Sequence, residues 1–322
     1  KKLLSFDEMN TFGKRGIGNE STYSMGFNFS QYLVERFGIN ILRDITISLS
    51  SSIYYSISDA IKHVTGISGY QLYDDWVESL KLRYKKFSNS TDEIFFSGNI
   101  IQKEGTTNIH PVWSPNGEKF AFISNKGNDY FSQTNLYVYS FLDSTTQKIA
   151  GGVKMAPTWL NDSTIVFTKI SKPDLNGSKF FDLYKIDIIN ENQEPERLTY
   201  SARLYSPVYI SNQNKIAAIN IYDGTSNIYI SDADSIEFKP VTNFNDGIYC
   251  SSLSTNGKEL YTDCVNHQTR DIYSIDVKGG LLIPEKVNDW DDRDIALNQD
   301  IKIHSKDKSG VFNLFYSDDF KS

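Results

Sequence analysis

A three-residue motif recurs along most of this 322-residue chain, and the repeat constrains the fold more than any other feature of the sequence. Each copy has Asn or Asp, then Leu or Ile, then Tyr or Phe, and successive copies start 47, 45, 44 and 42 residues apart. The five copies occupy residues 135–137, 182–184, 227–229, 271–273 and 313–315. Repeats with such periods are typical of solenoids and propellers, in which each unit packs on its neighbours.

A second motif, Pro-x-aromatic, runs in phase with the first. Its copies are 111–113, 157–159 and 207–209, with a degenerate copy at 251–253. Two of them are followed by Asn-Gly, at 116–117 and 256–257, and this pair suits a tight hairpin turn. Each unit also contains several short apolar runs, and four short strands in a repeat of about 40–50 residues are typical of a β-propeller blade.

The chain is therefore predicted to be mainly β, with a β-propeller of four full blades and a partial fifth behind a small N-terminal α-helical domain. The full blades are placed at about 108–152, 153–201, 202–246 and 247–289, and the fifth begins near 290. Residues 99–104 read as a fourth strand without a blade of its own. Either this strand pairs with 313–316 and closes the ring, or the propeller of residues 99–322 is incomplete, which we favour.

Residues 1–88 follow a helical period instead of a strand period. Met25, Phe29 and Leu33 are spaced to lie on one face of a helix, where they are expected to pack in a core. We interpret 1–88 as a helical domain and 89–98 as a linker.

The charge balance argues against one class of partner. The chain carries 40 acidic and 33 basic residues, a formal net charge of −7, whereas nucleic-acid-binding domains are usually basic. No apolar run approaches the roughly 18 residues that cross a bilayer, so we predict no transmembrane segment. The first residues lack both Met and the apolar stretch of a signal peptide, and we interpret the sequence as a fragment of a longer protein.

The repeats resemble the TolB-like, or WD40-like, propeller family. The best copy is 111–124, which begins Pro-Val-Trp-Ser-Pro-Asn-Gly and continues into an apolar strand, whereas 160–162 and 210–212 replace the turn residues. The resemblance covers about two thirds of the chain and implies a bacterial protein of the periplasm or the extracellular space. It implies a fold more than a function, because propellers of this type have unrelated roles.

The helical region resembles the C-terminal helical part of a Peptidase MA, or gluzincin, metallopeptidase domain, on residues 29–38, 64–68 and 72–76. Such enzymes hold zinc through His-Glu-x-x-His on a helix. The four histidines of this chain are His63, His110, His267 and His304. None of them forms that motif, so we predict no catalytic residue, no metal ligand and no cofactor in this chain.

The start of each inner strand is the candidate functional surface, because inner strands line the central channel of a propeller. The candidate residues at the channel mouth are His110, Met155, Tyr205 and Tyr249, at or beside the equivalent positions Ala156, Ser206 and Cys250. We expect them to shape a surface for a partner or ligand, although ordinary channel lining explains the same pattern. The mixture of rings and small side chains is not a metal-binding set.

A dense run of carboxylates surrounds Trp290. Its members are Asp289, Asp291, Asp292 and Asp294. Calcium binds several carboxylate oxygens at once, but the spacing of an EF-hand loop is absent. We interpret the run as a solvated loop between blades.

Cys250 and Cys264 flank the first hairpin of the fourth blade. With a turn centred on Thr255 and Asn256, Cys264 lies diagonally across from Cys250. Diagonal neighbours are about 7–8 Å apart at Cα, and a disulfide rarely spans more than about 6.8 Å. The spacing favours two free thiols and leaves a disulfide open.

These features favour a non-catalytic protein-interaction or scaffold propeller of a bacterial envelope or secreted protein. Two alternatives remain. The chain could be the C-terminal portion of a zinc metallopeptidase whose catalytic site lies upstream, or a propeller that binds a small molecule or a sugar.

Overall fold

The computed structural model describes residues 3–9, 19–51, 53–91, 99–130, 132–190, 193–245, 247–266, 269–298, 301–308, 310 and 312–316. The chain divides into two compact units, Lys1–Asn99 and Ile100–Ser322.

The described part of the first unit contains five α-helices. They are α1 (Phe6–Met9), α2 (Asn19–Phe37), α3 (Ile41–Leu49), α4 (Ile57–Thr65) and α5 (Gly69–Thr91). Local chemistry sets the bounds of α4: Ser56 Oγ accepts a hydrogen bond from Asp59 N at 3.1 Å, and Gly66 ends the helix at a φ of 77°. Phe29 and Leu33 are buried together, as their spacing predicts. None of the described helices is long and apolar enough to cross a membrane.

The second unit is a β-propeller of five blades, each an antiparallel sheet. Blade 1 has β1 (Asn108–Trp113), β2 (Lys119–Ser124), β3 (Asn135–Ser140) and β4 (Thr145–Gly151); blade 2 has β5 (Thr158–Trp159), β6 (Thr164–Ile170), β7 (Phe181–Asp187) and β8 (Glu196–Arg197). Blade 3 has β9 (Leu204–Ile210), β10 (Lys215–Tyr222), β11 (Thr225–Asp232) and β12 (Lys239–Pro240); blade 4 has β13 (Ile248–Thr255), β14 (Leu260–Asn266), β15 (Thr269–Asp276) and β16 (Leu281–Lys286). Blade 5 has β17 (Asp292–Asn298), β18 (Ile301–Lys306) and β19 (Asn313–Tyr316). The sequence predicted four full blades and a partial fifth; the structure has five blades, and the fifth contains three strands in the described residues.

Each sheet is built from strands that are consecutive in the chain. The first strands of the blades, β1, β5, β9, β13 and β17, lie next to one another in that order and form the inner wall. Residues 99–104, predicted as a strand, do not form one, and Gly105 has a φ of 82° that interrupts an extended run. In the described chain, β19 therefore pairs only with β18, and no strand from the start of the propeller joins blade 5.

The blades pack on one another through apolar faces. Ile123 and Leu136 of blade 1 are fully buried in one cluster with Phe167 of blade 2. Trp159 of the second motif adds a polar link, because its Nε1 donates to the carbonyl oxygen of Val112 in blade 1 at 2.9 Å. Burial on both sides explains why strict alternation of apolar and polar residues fades in the blade strands.

One face of blade 5 packs on blade 4, and the opposite face carries exposed apolar side chains. Lys302 points towards blade 4, where its Nζ lies 2.9 Å from Glu285 Oε2 and 4.6 Å from the centre of the Tyr261 ring. Residues that alternate with Lys302 face the other way. The exposed apolar side chains on that side are Ile301, Ile303, Leu314 and Tyr316.

The Asn or Asp of the first motif lies at equivalent positions near the start of β3, β7, β11 and β15, as the repeat predicts. Its side chain holds the segment that leaves the blade: Asp182 accepts hydrogen bonds from the backbone amides of Ser201 and Ala202 at 3.1 and 3.0 Å. Asn227 and Asp271 accept equivalent backbone bonds in blades 3 and 4. The sequence repeat therefore marks a structural support.

The two cysteines form a disulfide, and the favoured prediction of free thiols is wrong. Cys250 and Cys264 lie directly opposite each other in β13 and β14, with their Cα atoms 4.2 Å apart. The hairpin loop has four residues, 256–259, and a β-bulge at Ser251 shifts the register by one residue. The loop alone would place Val265 opposite Cys250, and the bulge brings Cys264 to that facing position.

Candidate functional site at the inner strands

Bulges interrupt the inner strands β1, β9, β13 and β17 near their starts. The residues at the bulges are His110 and Pro111, Ser206 and Pro207, Ser251, and Asp294 and Ile295. Because the blades repeat, the bulges lie at the same end of the channel. Bulges change the direction of side chains and are over-represented beside functional sites.

Three of the bulge residues have a left-handed backbone. The φ angles are 54° at His110, 49° at Ser206 and 56° at Asp294. Such angles are uncommon for residues other than glycine and cost of order 1–3 kcal/mol where the structure enforces them. The propeller maintains this conformation at the same place in three blades, which marks this end of the channel as the candidate site.

The four residues predicted at the channel mouth divide into two pairs. Met155 and Tyr205 pack in the apolar cluster that joins blades 3 and 4, and Tyr205 is only 6% exposed. The Tyr205 hydroxyl donates to the carbonyl oxygen of Cys250 at 3.4 Å. His110 and Tyr249 are exposed. His110 and Tyr249 are therefore available to a ligand, whereas Met155 and Tyr205 support the wall behind them.

Blades 4 and 5 add charged residues that the sequence interpretation did not select. Asp263 of β14 is fully buried, and Arg270 Nη1 lies 3.9 Å from its Oδ2. Ser252 Oγ donates to the other carboxylate oxygen of Asp263. Asp294, on the bulge of β17, is exposed. The repeat contained a signal for this residue, because Asp294 lies one repeat length, 44 residues, after Cys250.

The ionisable groups at this end of the channel influence one another. Although His110 keeps contact with solvent, the protein atoms around its imidazole partly desolvate the ring and lower its pKa below the usual 6.5, and the Asp294 carboxylate opposes that shift. Burial raises the pKa of the Asp263 carboxyl above 3.8; the hydrogen bond from Ser252 opposes this, and the charge of Asp294 adds to it. Burial also raises the pKa of the Tyr205 hydroxyl. Groups with shifted pKa values cluster at functional sites.

The carboxylate run around Trp290 is only partly a solvated loop. Asp292 is fully buried: His304 Nε2 lies 2.9 Å from its Oδ1, and Lys306 Nζ lies 3.7 Å from its Oδ2. Asp291 pairs with Arg293 at 2.5 Å. Within the described ranges, no three His, Cys, Asp or Glu side chains converge in a way that could hold a metal ion.

Other predicted features lie away from this end of the channel. His63 of α4 stacks on Tyr54, and Ser48 Oγ lies 3.1 Å from its Nδ1, so its ring packs within the helical unit. His267 lies outside the described residues. A cavity of about 550 Å³ in the helical unit is lined mainly by apolar side chains, and one of about 350 Å³ lies between blades 2 and 3.

Solved structures similar to this chain include propellers. They include TolB from Acinetobacter baumannii (17% identity, TM-score 0.47, 65% of this chain and 53% of that chain). A putative TolB from Agrobacterium tumefaciens matches with 15% identity, a TM-score of 0.50 and coverage of 68% and 78% of the two chains. The β-propeller domain of the Trilobed protease from Pyrococcus furiosus, described as an open velcro topology, matches with 13% identity, a TM-score of 0.51 and coverage of 66% of each chain.

The likenesses to the Agrobacterium and Pyrococcus structures, both below 25% identity, show the propeller fold. The chain spans about half the length of the Acinetobacter TolB. The sequence matches no protein-family model and no curated protein.

Proposed function

We propose that the chain is a non-catalytic propeller that binds a protein partner at the end of the channel where the inner strands are bulged. The observation that carries the proposal is the repeated left-handed bulge, which places His110, Ser206 and Asp294 at equivalent positions of three blades. A single bulge is a common irregularity. Three left-handed bulges at equivalent positions form a surface, and the packing of the blades does not by itself require these strained backbone angles.

The disulfide supports a location in the periplasm or outside the cell. Cys250 and Cys264 are both fully buried and are bonded across neighbouring strands. Disulfides persist in oxidising compartments and are rare in the cytosol. The location that the TolB-like resemblance implies is therefore supported by a feature independent of that resemblance.

Site-specific photo-crosslinking tests the proposed surface. The full chain carries p-benzoylphenylalanine in place of Tyr249, which is 45% exposed, or in place of Phe141, a control of 40% exposure near the opposite end of the blade. We expect one discrete crosslinked protein at position 249 and none at 141. Equal crosslinking at both positions, or none at 249, would contradict the proposal.

A peptidase accessory role is the second candidate. It is supported by the propeller of the Pyrococcus furiosus protease, whose structure is similar to this one. In this case 1–88 is the end of a peptidase domain and 99–322 an incomplete propeller. A zinc assay and a peptidase assay on this chain and on a longer polypeptide distinguish the two roles. We expect neither polypeptide to contain zinc or to cleave peptides. Peptidase activity in the longer polypeptide would favour the peptidase role.

A further inference from the structure

Strand β14 of blade 4 packs on strand β17 of blade 5, and the two strands carry Asp263 and Asp294 at the bulged end of the channel. We propose that this place is a subsite for a cationic side chain, lysine or arginine, of a partner polypeptide, with Asp294 as the group that touches the cation. The inference rests on the proposed function, because it names the chemistry of the partner.

The unsatisfied carboxylate of Asp263 is the first feature that points to a ligand. Its side chain has no exposure, and no described atom donates a hydrogen bond to its Oδ2. The nearest cationic atom is Arg270 Nη1 at 3.9 Å, which is beyond hydrogen-bond length. A buried carboxylate oxygen without a donor is costly and uncommon. The fold therefore keeps a negative charge here that its own groups satisfy only in part.

The exposed carboxylate of Asp294 is the second feature that points to a ligand. It is exposed and lies on a left-handed bulge of the inner wall. The ion pairs of blade 5 join Arg293 to Asp291, Lys302 to Glu285, and both His304 and Lys306 to Asp292. None in the described chain includes Asp294. Its carboxylate is close enough to Asp263 to raise the pKa of that group. The charge of Asp294 therefore adds to that of Asp263, which Arg270 offsets only in part.

The charge balance selects a cation. Asp263 and Asp294 contribute two negative charges and Arg270 one positive charge, and the lowered pKa of His110 leaves its ring neutral at pH 7. The net local charge is therefore negative. Asp294 would contact the incoming ammonium or guanidinium group, and Asp263 behind it would add attraction through a region of low dielectric. The exposed ring of Tyr249 offers an apolar surface for the side-chain stem.

A peptide titration of the full chain tests the subsite. The probes are acetyl-Gly-Lys-Gly-amide and acetyl-Gly-Leu-Gly-amide, followed by NMR of the His110 ring. We expect only the lysine peptide to bind, with Asp294→Asn weakening it about tenfold and Asp263→Asn about threefold. Glu194→Gln removes one exposed carboxylate from the loop between β7 and β8, at the opposite end of the blade, and should leave the affinity unchanged.

The pKa of His110 gives a readout that a merely structural Asp294 would not move. Because the Asp294 carboxylate opposes the lowering of that pKa, saturation with the lysine peptide should lower it in the same direction as Asp294→Asn. Equal binding of the lysine and leucine peptides, or an affinity within twofold of the original in Asp294→Asn, would overturn the subsite.

The same variants separate this inference from the proposed function. If position 249 crosslinks a protein and Asp294→Asn leaves that crosslink intact, partner binding stands and the cation subsite falls. If the lysine peptide binds through Asp294 but no protein crosslinks, the subsite stands and the proposed function falls.

Discussion

Asp182 and Thr199 join the third strand of blade 2 to the segment that leads into blade 3. Thr199 Oγ1 donates to Asp182 Oδ1 at 3.0 Å and accepts from Leu183 N at 3.0 Å. Thr242 and Asn227 repeat the arrangement in blade 3, with Thr242 Oγ1 donating to Asn227 Oδ1 at 2.9 Å. The first motif and a threonine 15–17 residues later thus act as one unit.

Removing this support should destabilise the propeller. Asp182 is fully buried and also pairs with Arg197 at 2.6 Å, so Asp182→Ala leaves several donors without an acceptor. We expect a loss of about 3 kcal/mol in the free energy of unfolding, measured by urea titration. Asp143→Ala, at an exposed turn, should cost less than about 1 kcal/mol. Similar losses in both variants would contradict this role.

The two tryptophans of the second motif should differ in importance. Trp159 is 4% exposed and bonds to Val112 of blade 1, whereas Trp113 is 57% exposed. Trp159→Phe should lower the free energy of unfolding by about 2 kcal/mol, through a lost hydrogen bond and lost packing. Trp113→Phe should change it by less than about 0.5 kcal/mol. Denaturant midpoints of the two variants provide the comparison, and an equal shift would contradict the stabilising contact of Trp159 between blades 1 and 2.

The disulfide should contribute measurably to stability. It joins residues 14 apart in sequence, and closing a loop of about 15 residues stabilises a protein by about 3 kcal/mol in the chain-entropy model. Reduction should therefore lower the urea midpoint. The double variant Cys250→Ser/Cys264→Ser should have the lower urea midpoint even without reductant, and reductant should not change that midpoint. Alkylation of both thiols in the denatured, unreduced protein would show that the bond is absent.

Two buried aspartates should respond oppositely to replacement. Although burial by itself raises the pKa of Asp292, contacts with His304, Asn288 and Lys306 hold it below 3.8, whereas the pKa of Asp263 is raised, mainly by burial. The stability that ionised Asp292 supplies is present above pH 3.8 and is lost as the pH falls through its folded pKa. Ionisation of Asp263 instead destabilises the fold: the stability falls as the pH rises from 3.8 towards the raised folded pKa, and the loss is complete above it.

Asp292→Asn should therefore lower the free energy of unfolding at pH 7 by about 3 kcal/mol, and Asp263→Asn should increase it. Both differences should shrink towards pH 3, because Asp263 is protonated there and the stability supplied by ionised Asp292 is being lost below pH 3.8. Thermal unfolding at pH 7 and at pH 3 measures them. A loss of stability in Asp263→Asn at pH 7 would show that this carboxylate serves packing instead of binding.

The repeat predicted the blades because the first motif has the same structural role in blades 2, 3 and 4. Asp182 and Asn227 support the same turn, so their spacing reported the blade length directly. Cys250 and Cys264 lie opposite each other because of the loop length and a bulge. Neither of these features leaves a periodic signal in the sequence.

The candidate site was predicted only in part for a related reason. His110 and Tyr249 could be placed from the second motif. Asp263 lies on a second strand, outside that motif, and its part in the site arises from burial between blades 4 and 5. Asp292 could not be separated from its acidic neighbours, because only the fold brings it to His304.

The succession of strands within each blade has a consequence for synthesis. Every described sheet is formed by strands that are consecutive in the chain. A blade that has just left the ribosome therefore already contains all the strands of its sheet. Local pairing of this kind closes short loops and favours rapid folding. Each blade can then serve as the template on which the next one docks, so the propeller can assemble in the order of translation without waiting for its last residues.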